Sequence, residues 1–236
     1  RSQRAEIRNA ELDVEGRLPE WLDGTFLVDG PGQFEVGETP LAHWFDALAL
    51  LRRVRIADGG ATYAARFVRS EDFRVAREHG RVRRPLPGTP ASGRPLGRLR
   101  RTLSGLQDNP AIGVLRIDGT VYAVSETPIG IAVDPETLAT VGRRDLTAGL
   151  DADATLGHCH VVDGVQWGLA TSVGRECVYP LSRRSPGESP EPIPRLRFGP
   201  HPPYVHSFAL TERYAVVPEA PFGVDFRRLL LGAARG

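Results

Sequence analysis

Histidine stands at positions 43, 79, 158, 160, 201 and 206, and two of these residues hold equivalent places in successive segments. His158 lies five residues before Asp163, and His206 lies five before Thr211, where the matching turn begins. Neutral imidazole is the commonest protein ligand for a metal, so two imidazoles converging from neighbouring units could share one ion. The plainer alternative is that each is an ordinary half-buried strand residue. His160 competes as a partner, because residues i and i+2 of a strand share a face and a His-x-His pair can chelate alone. Spacing leaves both pairings open. Glu126, in Val124-Ser125-Glu126-Thr127, follows an apolar run. A carboxylate there could orient a ligating imidazole by accepting its second N–H, or it could simply be a solvated strand end. Cys159 and Cys177 are too few for a disulfide framework. The glycines around Pro31 lack the strand–helix setting of a phosphate loop, and no nucleophile elbow is present.

The elements that would position these residues read as strands. Leu51–Ile56 and Ala61–Val68 flank Ala57-Asp58-Gly59-Gly60, and Val114–Ile117 and Thr120–Val124 flank Asp118-Gly119. His158–Val162 and Val165–Ala170 flank Asp163-Gly164 in the same way. Asp-Gly between alternating apolar runs is a strong hairpin signal. Val205–Leu210 and Tyr214–Val217 flank Thr211-Glu212-Arg213. No amphipathic helix is expected after residue 50, so the fold class is all-β. The turns recur at 45 residues (Asp118 to Asp163) and 48 residues (Asp163 to Thr211). Periods of about 40–50 residues with several strands each are the mark of propeller blades, with a generic β-sandwich as the alternative. In a propeller, equivalent positions on inner strands meet at the central axis, where His158 and His206 would converge.

Composition bounds the function. The chain has 236 residues, with 30 basic and 29 acidic side chains, and every basic one is Arg. A net charge of +1 argues against a dedicated nucleic-acid binder. No apolar run approaches the about 20 residues of a membrane span, and residues 1–16 do not read as a signal peptide, so a cytoplasmic setting is expected. Residues 69–101 carry ten Arg against Glu71, Asp72 and Glu78. This Arg-rich loop region reads as a solvated loop, or as a surface giving peripheral contact with anionic lipid. Residues 182–194 (SRRSPGESPEPIP) read as a Pro/Ser-rich exposed loop.

Several motifs together resemble the carotenoid cleavage oxygenase family. Gly16-Arg17-Leu18-Pro19-Glu20-Trp21-Leu22-Asp23-Gly24-Thr25, Asp29-Gly30-Pro31-Gly32-Gln33-Phe34-Glu35 and His43-Trp44-Phe45-Asp46 are similar to its opening. Val133-Asp134-Pro135-Glu136-Thr137-Leu138, Gly157-His158-Cys159-His160 and Tyr204-Val205-His206-Ser207-Phe208 follow in the family's order. The resemblance implies a seven-bladed β-propeller carrying a non-haem Fe(II) held by four histidines. It also implies cleavage of a conjugated double bond in an apolar polyene by O2, giving carbonyl products. In that setting His158 and His206 match two iron ligands, Glu126 a carboxylate that orients a ligand, most plausibly His206, and His160 a neighbour that does not ligate.

Departures from the pattern are modest, apart from length. Cys159 stands where the family usually has Pro, Val28-Asp29 where it has Arg-Asn, and Ala47 where it has Gly. No histidine follows His206, and Phe226–Gly236 does not read like the family's continuation. Residues 1–236 are therefore expected to be roughly the N-terminal half of a propeller. Two imidazoles hold Fe(II) more weakly than four, so this chain alone is expected not to retain catalytic iron. A non-catalytic remnant or interaction module, and a split enzyme completed by a C-terminal half, are the alternatives.

Overall fold

The computed structural model describes residues 2–84, 86, 88–89, 105–174, 176–199 and 201–223. The first sheet is built from β1 (Ile7–Leu12), β2 (Gly24–Gln33), β5 (Leu48–Ala57) and β6 (Gly60–Phe67), in the order β1-β6-β5-β2. A short ribbon, β3 (Glu35–Val36) with β4 (Thr39–Pro40), sits between β2 and β5 in the chain. The second sheet is the meander β7 (Gly113–Ile117), β8 (Thr120–Val124), β9 (Ile129–Val133) and β10 (Thr140–Asp145). The third is five-stranded: β11 (Ala154–Thr155), β12 (His160–Val162), β13 (Val165–Thr171), β14 (Cys177–Arg184) and β15 (Glu191–Phe198), with β11 and β12 both pairing with β13. A small hairpin, β16 (Ala209–Leu210) with β17 (Ala215–Val216), follows. Every strand pairing among the described residues is antiparallel, in keeping with the all-β expectation.

The expected turns are where the sequence put them. Asp58-Gly59, Asp118-Gly119 and Asp163-Gly164 all take positive φ, the left-handed pair that joins two strands in a tight hairpin. The Val133–Leu138 motif is also a turn: Asp134 Oδ1 accepts from the backbone N–H groups of Glu136 and Thr137, at 3.1 and 2.7 Å. That turn delivers Leu138, with φ 56°, into the core.

Successive residues of the central strands are buried on opposite faces. Leu51 and Ala49 of β5 pack with Val121, Ala123, Ile131 and Val133 of the second sheet. Leu48 and Leu50, one residue out of step, pack instead with Phe67, Phe73 and Ala76. In β8, Val121 and Ala123 face the first sheet, while Val124 walls a cavity shared with Leu169 of β13. With a period of two, this means that the first and second sheets are covered on both faces and stack against their neighbours in chain order. Gly32 permits the closest approach within the first sheet: a Cβ there would lie 2.4 Å from Leu50 Cβ.

Three expectations are corrected. Residues 71–79 of the Arg-rich segment are not loop but a helix, α1 (Glu71–His79). Ser70 caps it by accepting from Phe73 N–H, acidic Glu71 and Asp72 open it, and Gly80 closes it in the left-handed conformation. Only Phe73 and Ala76 are buried in it, so its apolar stripe is too thin to show against so many charges. Asp108 adds a second cap from far along the chain, accepting from Glu71 and Asp72 N–H at 3.0 and 2.9 Å. The arginines there are not all solvated, since Arg84 pairs with Glu71, Asp72 and Asp108. Residues 90–104 lie outside the described residues, as does the tail from 224 onward. Second, the 182–194 loop shrinks to the turn between β14 and β15, because both strands run into it. Pro192 is accommodated since β15 lies at the edge of its sheet. Third, His158 and His206 are not on the first strands of their hairpins. Pairing begins only at His160 and Ala209, so both imidazoles lie in the connecting segments just before.

One acidic residue of β2 lies in the interior. Asp29 on β2 is buried, its Oδ1 accepting from Gly30 N–H at 2.9 Å and its Oδ2 without a partner among the described residues. Burial pushes its carboxyl well above the ordinary value of 3.8.

Candidate functional site

Three successive segments each deliver one polar group to the same spot. Glu126 follows the end of β8, His158 precedes β12, and His206 precedes β16. Local packing explains each placement. Thr155 Oγ1 donates to Thr127 O at 3.1 Å and anchors the Glu126 segment to β11. Gly157 lets the chain pass close to Ile112, where a Cβ would sit 2.6 Å from Ile112 Cγ2, and so sets the approach of His158. The 203–206 segment is extended and pinned from both sides: Tyr179 Oη donates to Pro203 O, and Tyr204 N–H to Phe222 O, each at 2.8 Å. Val205 is buried with Phe208, Leu169 and Tyr179, so alternation turns Tyr204 and His206 to the opposite side.

His158 Nε2 lies 3.0 Å from His206 Nε2, with the rings nearly perpendicular at 85°. His206 Nδ1 lies 2.6 Å from Glu126 Oε1. Tyr204 Oη lies 2.9 and 3.0 Å from the two carboxylate oxygens and 3.1 Å from His206 Nδ1. Beside an acceptor-only carboxylate, His206 carries its proton on Nδ1 and leaves Nε2 as a lone pair. That lone pair faces His158. With both Nε2 atoms unprotonated, the pair could bind one cation. Desolvation and the adjacent Glu126 charge raise the phenol pKa of Tyr204, so Tyr204 remains a donor to the carboxylate throughout the neutral range.

His160 is drawn elsewhere: its Nε2 lies 2.7 Å from Phe208 O and its ring meets Phe208 edge-on. This contact draws β12 toward the 205–210 segment and thereby helps bring His158 up to His206. Of the two pairings open in the sequence, the structure brings together His158 and His206. Glu126 joins them, its Oε1 2.6 Å from His206 Nδ1. Tyr204 is the residue that sequence reasoning missed. Its signal was available, since Tyr204 and His206 are i and i+2 on one extended segment and share a face.

Two ligands at 3.0 Å suit adjacent positions around one first-row metal, whose bonds to imidazole run about 2.0–2.1 Å. Among the described residues no group of three or more His, Cys, Asp or Glu side chains could hold a metal. The pair therefore fits as part of a ligand set. Among the same residues no helix is long and apolar enough to cross a membrane, which says nothing of spans built from strands.

Comparison with known proteins gives a consistent picture. Residues 1–235 match the family described as retinal pigment epithelial membrane protein (RPE65). The carotenoid cleavage dioxygenase 8 homolog B, chloroplastic, of Oryza sativa subsp. japonica is 39% identical over 98% of this chain and 42% of its own length. The beta,beta-carotene 15,15'-dioxygenase of Gallus gallus is 30% identical over 96% of the chain and 48% of its own. The chain thus spans less than half the length of these curated relatives. A mutant of the Synechocystis apocarotenoid oxygenase superposes with a TM-score of 0.82 at 22% identity, over 98% of this chain and 50% of that one. A cobalt-substituted form of the same Synechocystis protein superposes at 0.74 with 24% identity, over 92% and 47%. At that identity the superpositions speak to the fold.

Proposed function

The chain belongs to the retinal pigment epithelial membrane protein family, and from that premise we propose that it is the N-terminal part of an Fe(II)-dependent dioxygenase cleaving a conjugated C=C bond of a carotenoid or apocarotenoid. The products would be aldehydes or ketones, the substrates an apolar polyene and O2, and the complete fold a seven-bladed propeller. The single observation that carries this reading is the His158–His206 pair with Glu126 behind it.

In this proposal His158 and His206 hold the iron through Nε2. Iron, when bound, would supply the binding and activation of O2. Glu126 keeps the His206 proton on Nδ1, so that Nε2 is free to ligate and the ring cannot turn. Tyr204 in turn fixes the carboxylate by donating to it. Neutral His158 and His206 imidazoles would add no negative charge to a bound iron and so would favour its divalent state. The two further histidines implied by the resemblance would come from beyond this chain, supplied by a continuing or complementing C-terminal half.

A second reading is favoured by one observation, the lack of a third metal-binding group among the described residues. On it the chain is a propeller scaffold without a working site, serving as an interaction module. A chimera separates the two: this chain is joined to the C-terminal portion of the Oryza sativa relative and expressed in carotenoid-accumulating cells. The oxygenase reading expects shortened carbonyl products and loss of pigment, abolished by His206→Ala. Intact pigment in cells containing folded, iron-loaded chimera would favour the module.

A further inference from the structure

Between the second and third sheets lies a cavity of ≈ 40 Å³, walled by Ile117 and Val124 on one side and by Leu169 and Arg184 on the other, and reaching His158. Most of this wall is aliphatic, as expected between stacked sheets. Arg184 is the exception. It is 6% exposed, and its Nε and Nη1 have no hydrogen-bond partner among the described residues. Gln166, its cross-strand neighbour on β13, also lines the cavity, and its Oε1 is unpartnered as well. A side-chain amide can turn either its oxygen or its NH2 toward a guest.

The charge at this place is not balanced. Asp118 is the carboxylate nearest in effect, but it is already engaged: Oδ2 lies 3.2 Å from Arg144 Nη1, and Oδ1 accepts from Gly187 N–H at 2.7 Å. Arg144 therefore adds a second cation beside the one carboxylate. A guanidinium keeps its charge at neutral pH, and buried charges in folded proteins are paired or solvated by fixed dipoles. The cavity exceeds the about 10–15 Å³ that one water needs, yet is too small for a drug-sized or polyene ligand.

We infer that this cavity is a binding site for a small monovalent anion, halide in size, held by Nε and Nη1 of Arg184. It is separate from the imidazole pair, although His158 contributes to its wall. Shape confines the guest to one or two heavy atoms, and the uncompensated guanidinium selects its sign.

Bromide is the probe. The chain is melted in gluconate buffer while bromide replaces gluconate at constant ionic strength. Binding to the folded state raises Tm saturably, by about 3–6 °C once bromide stands at about ten times its Kd. Arg184→Met, which keeps the length and removes the charge, is expected to abolish the bromide response whatever it does to the starting Tm. Crystals grown in bromide give a second measurement that needs no variant: an anomalous peak within hydrogen-bond distance of Arg184 Nε and Nη1. A Tm that does not respond to bromide, an equal response in Arg184→Met, or a cavity holding only waters without an anomalous peak would each overturn the inference.

Discussion

Each histidine of the pair is placed by a neighbour that does no chemistry itself. His160 spends its Nε2 on Phe208 O, and in doing so draws β12 and the His158 segment before it toward the segment that carries His206. Glu126 and Tyr204 then select the tautomer. Cobalt(II) titration of the chain, followed by its visible absorption, should show binding that His206→Ala abolishes. Glu126→Gln should weaken it by about 10–100-fold. Tyr204→Phe, which removes one hydrogen bond to a charged group, should cost about tenfold. Equal affinities across the three variants would mean that cobalt binds elsewhere. Asp29 gives a separate pH prediction. Its carboxyl pKa is raised in the folded chain, so folding takes up a proton as pH falls toward 3.8. Stability attributable to this group is thus greatest in acid and falls as pH rises above about 4. Asp29→Asn should remove that slope, making the variant progressively more stable than the parent toward neutral pH in urea titrations. Parallel curves for the two proteins would contradict the burial argument.

At the scale of elements, the local and the non-local were unequally legible. Asp58-Gly59, Asp118-Gly119 and Asp163-Gly164 form hairpins because the φ > 0 requirement is met by two adjacent residues, and that can be read from sequence. The helix α1 could not be read in the same way. Its Ser70 and Gly80 caps are local signals, but its second cap, Asp108, comes from 36 residues away and only the folded chain reveals it. Likewise the strand ends at His158 and His206 depend on which partners are in reach, here Trp167 and Val216, and alternation alone overextended both strands. Ser70→Ala should destabilise the chain by about 1 kcal/mol, because Phe73 N–H loses its acceptor. Gly32→Ala should cost about 1–3 kcal/mol, since a Cβ 2.4 Å from Leu50 Cβ forces the first sheet apart. Guanidinium midpoints would check both, and an unchanged midpoint for Gly32→Ala would show that β2 can yield.

For the whole molecule, the two-faced burial of β5 and β8 is the property that makes the sheets a stack and not a sandwich of two. The second sheet, the third sheet and the small hairpin each hand a polar group to one spot from the segment beside their strands, so the cluster emerges from stacking without any long-range motif. The approach of His158 to His206 was legible in their 48-residue spacing, because equivalent positions in a repeating architecture converge. On the proposed reading any further ligands would lie outside this chain, which spans less than half of its relatives' length. The most direct test is the iron content of the purified chimera carrying this chain in front of the Oryza sativa relative's C-terminal portion, set beside the chain by itself and the chimera's His206→Ala form. About one iron per chimera, and far less than one in the other two, is the expected result for a shared site of the kind proposed. Stoichiometric iron in the chain by itself, or in the His206→Ala chimera, would contradict it.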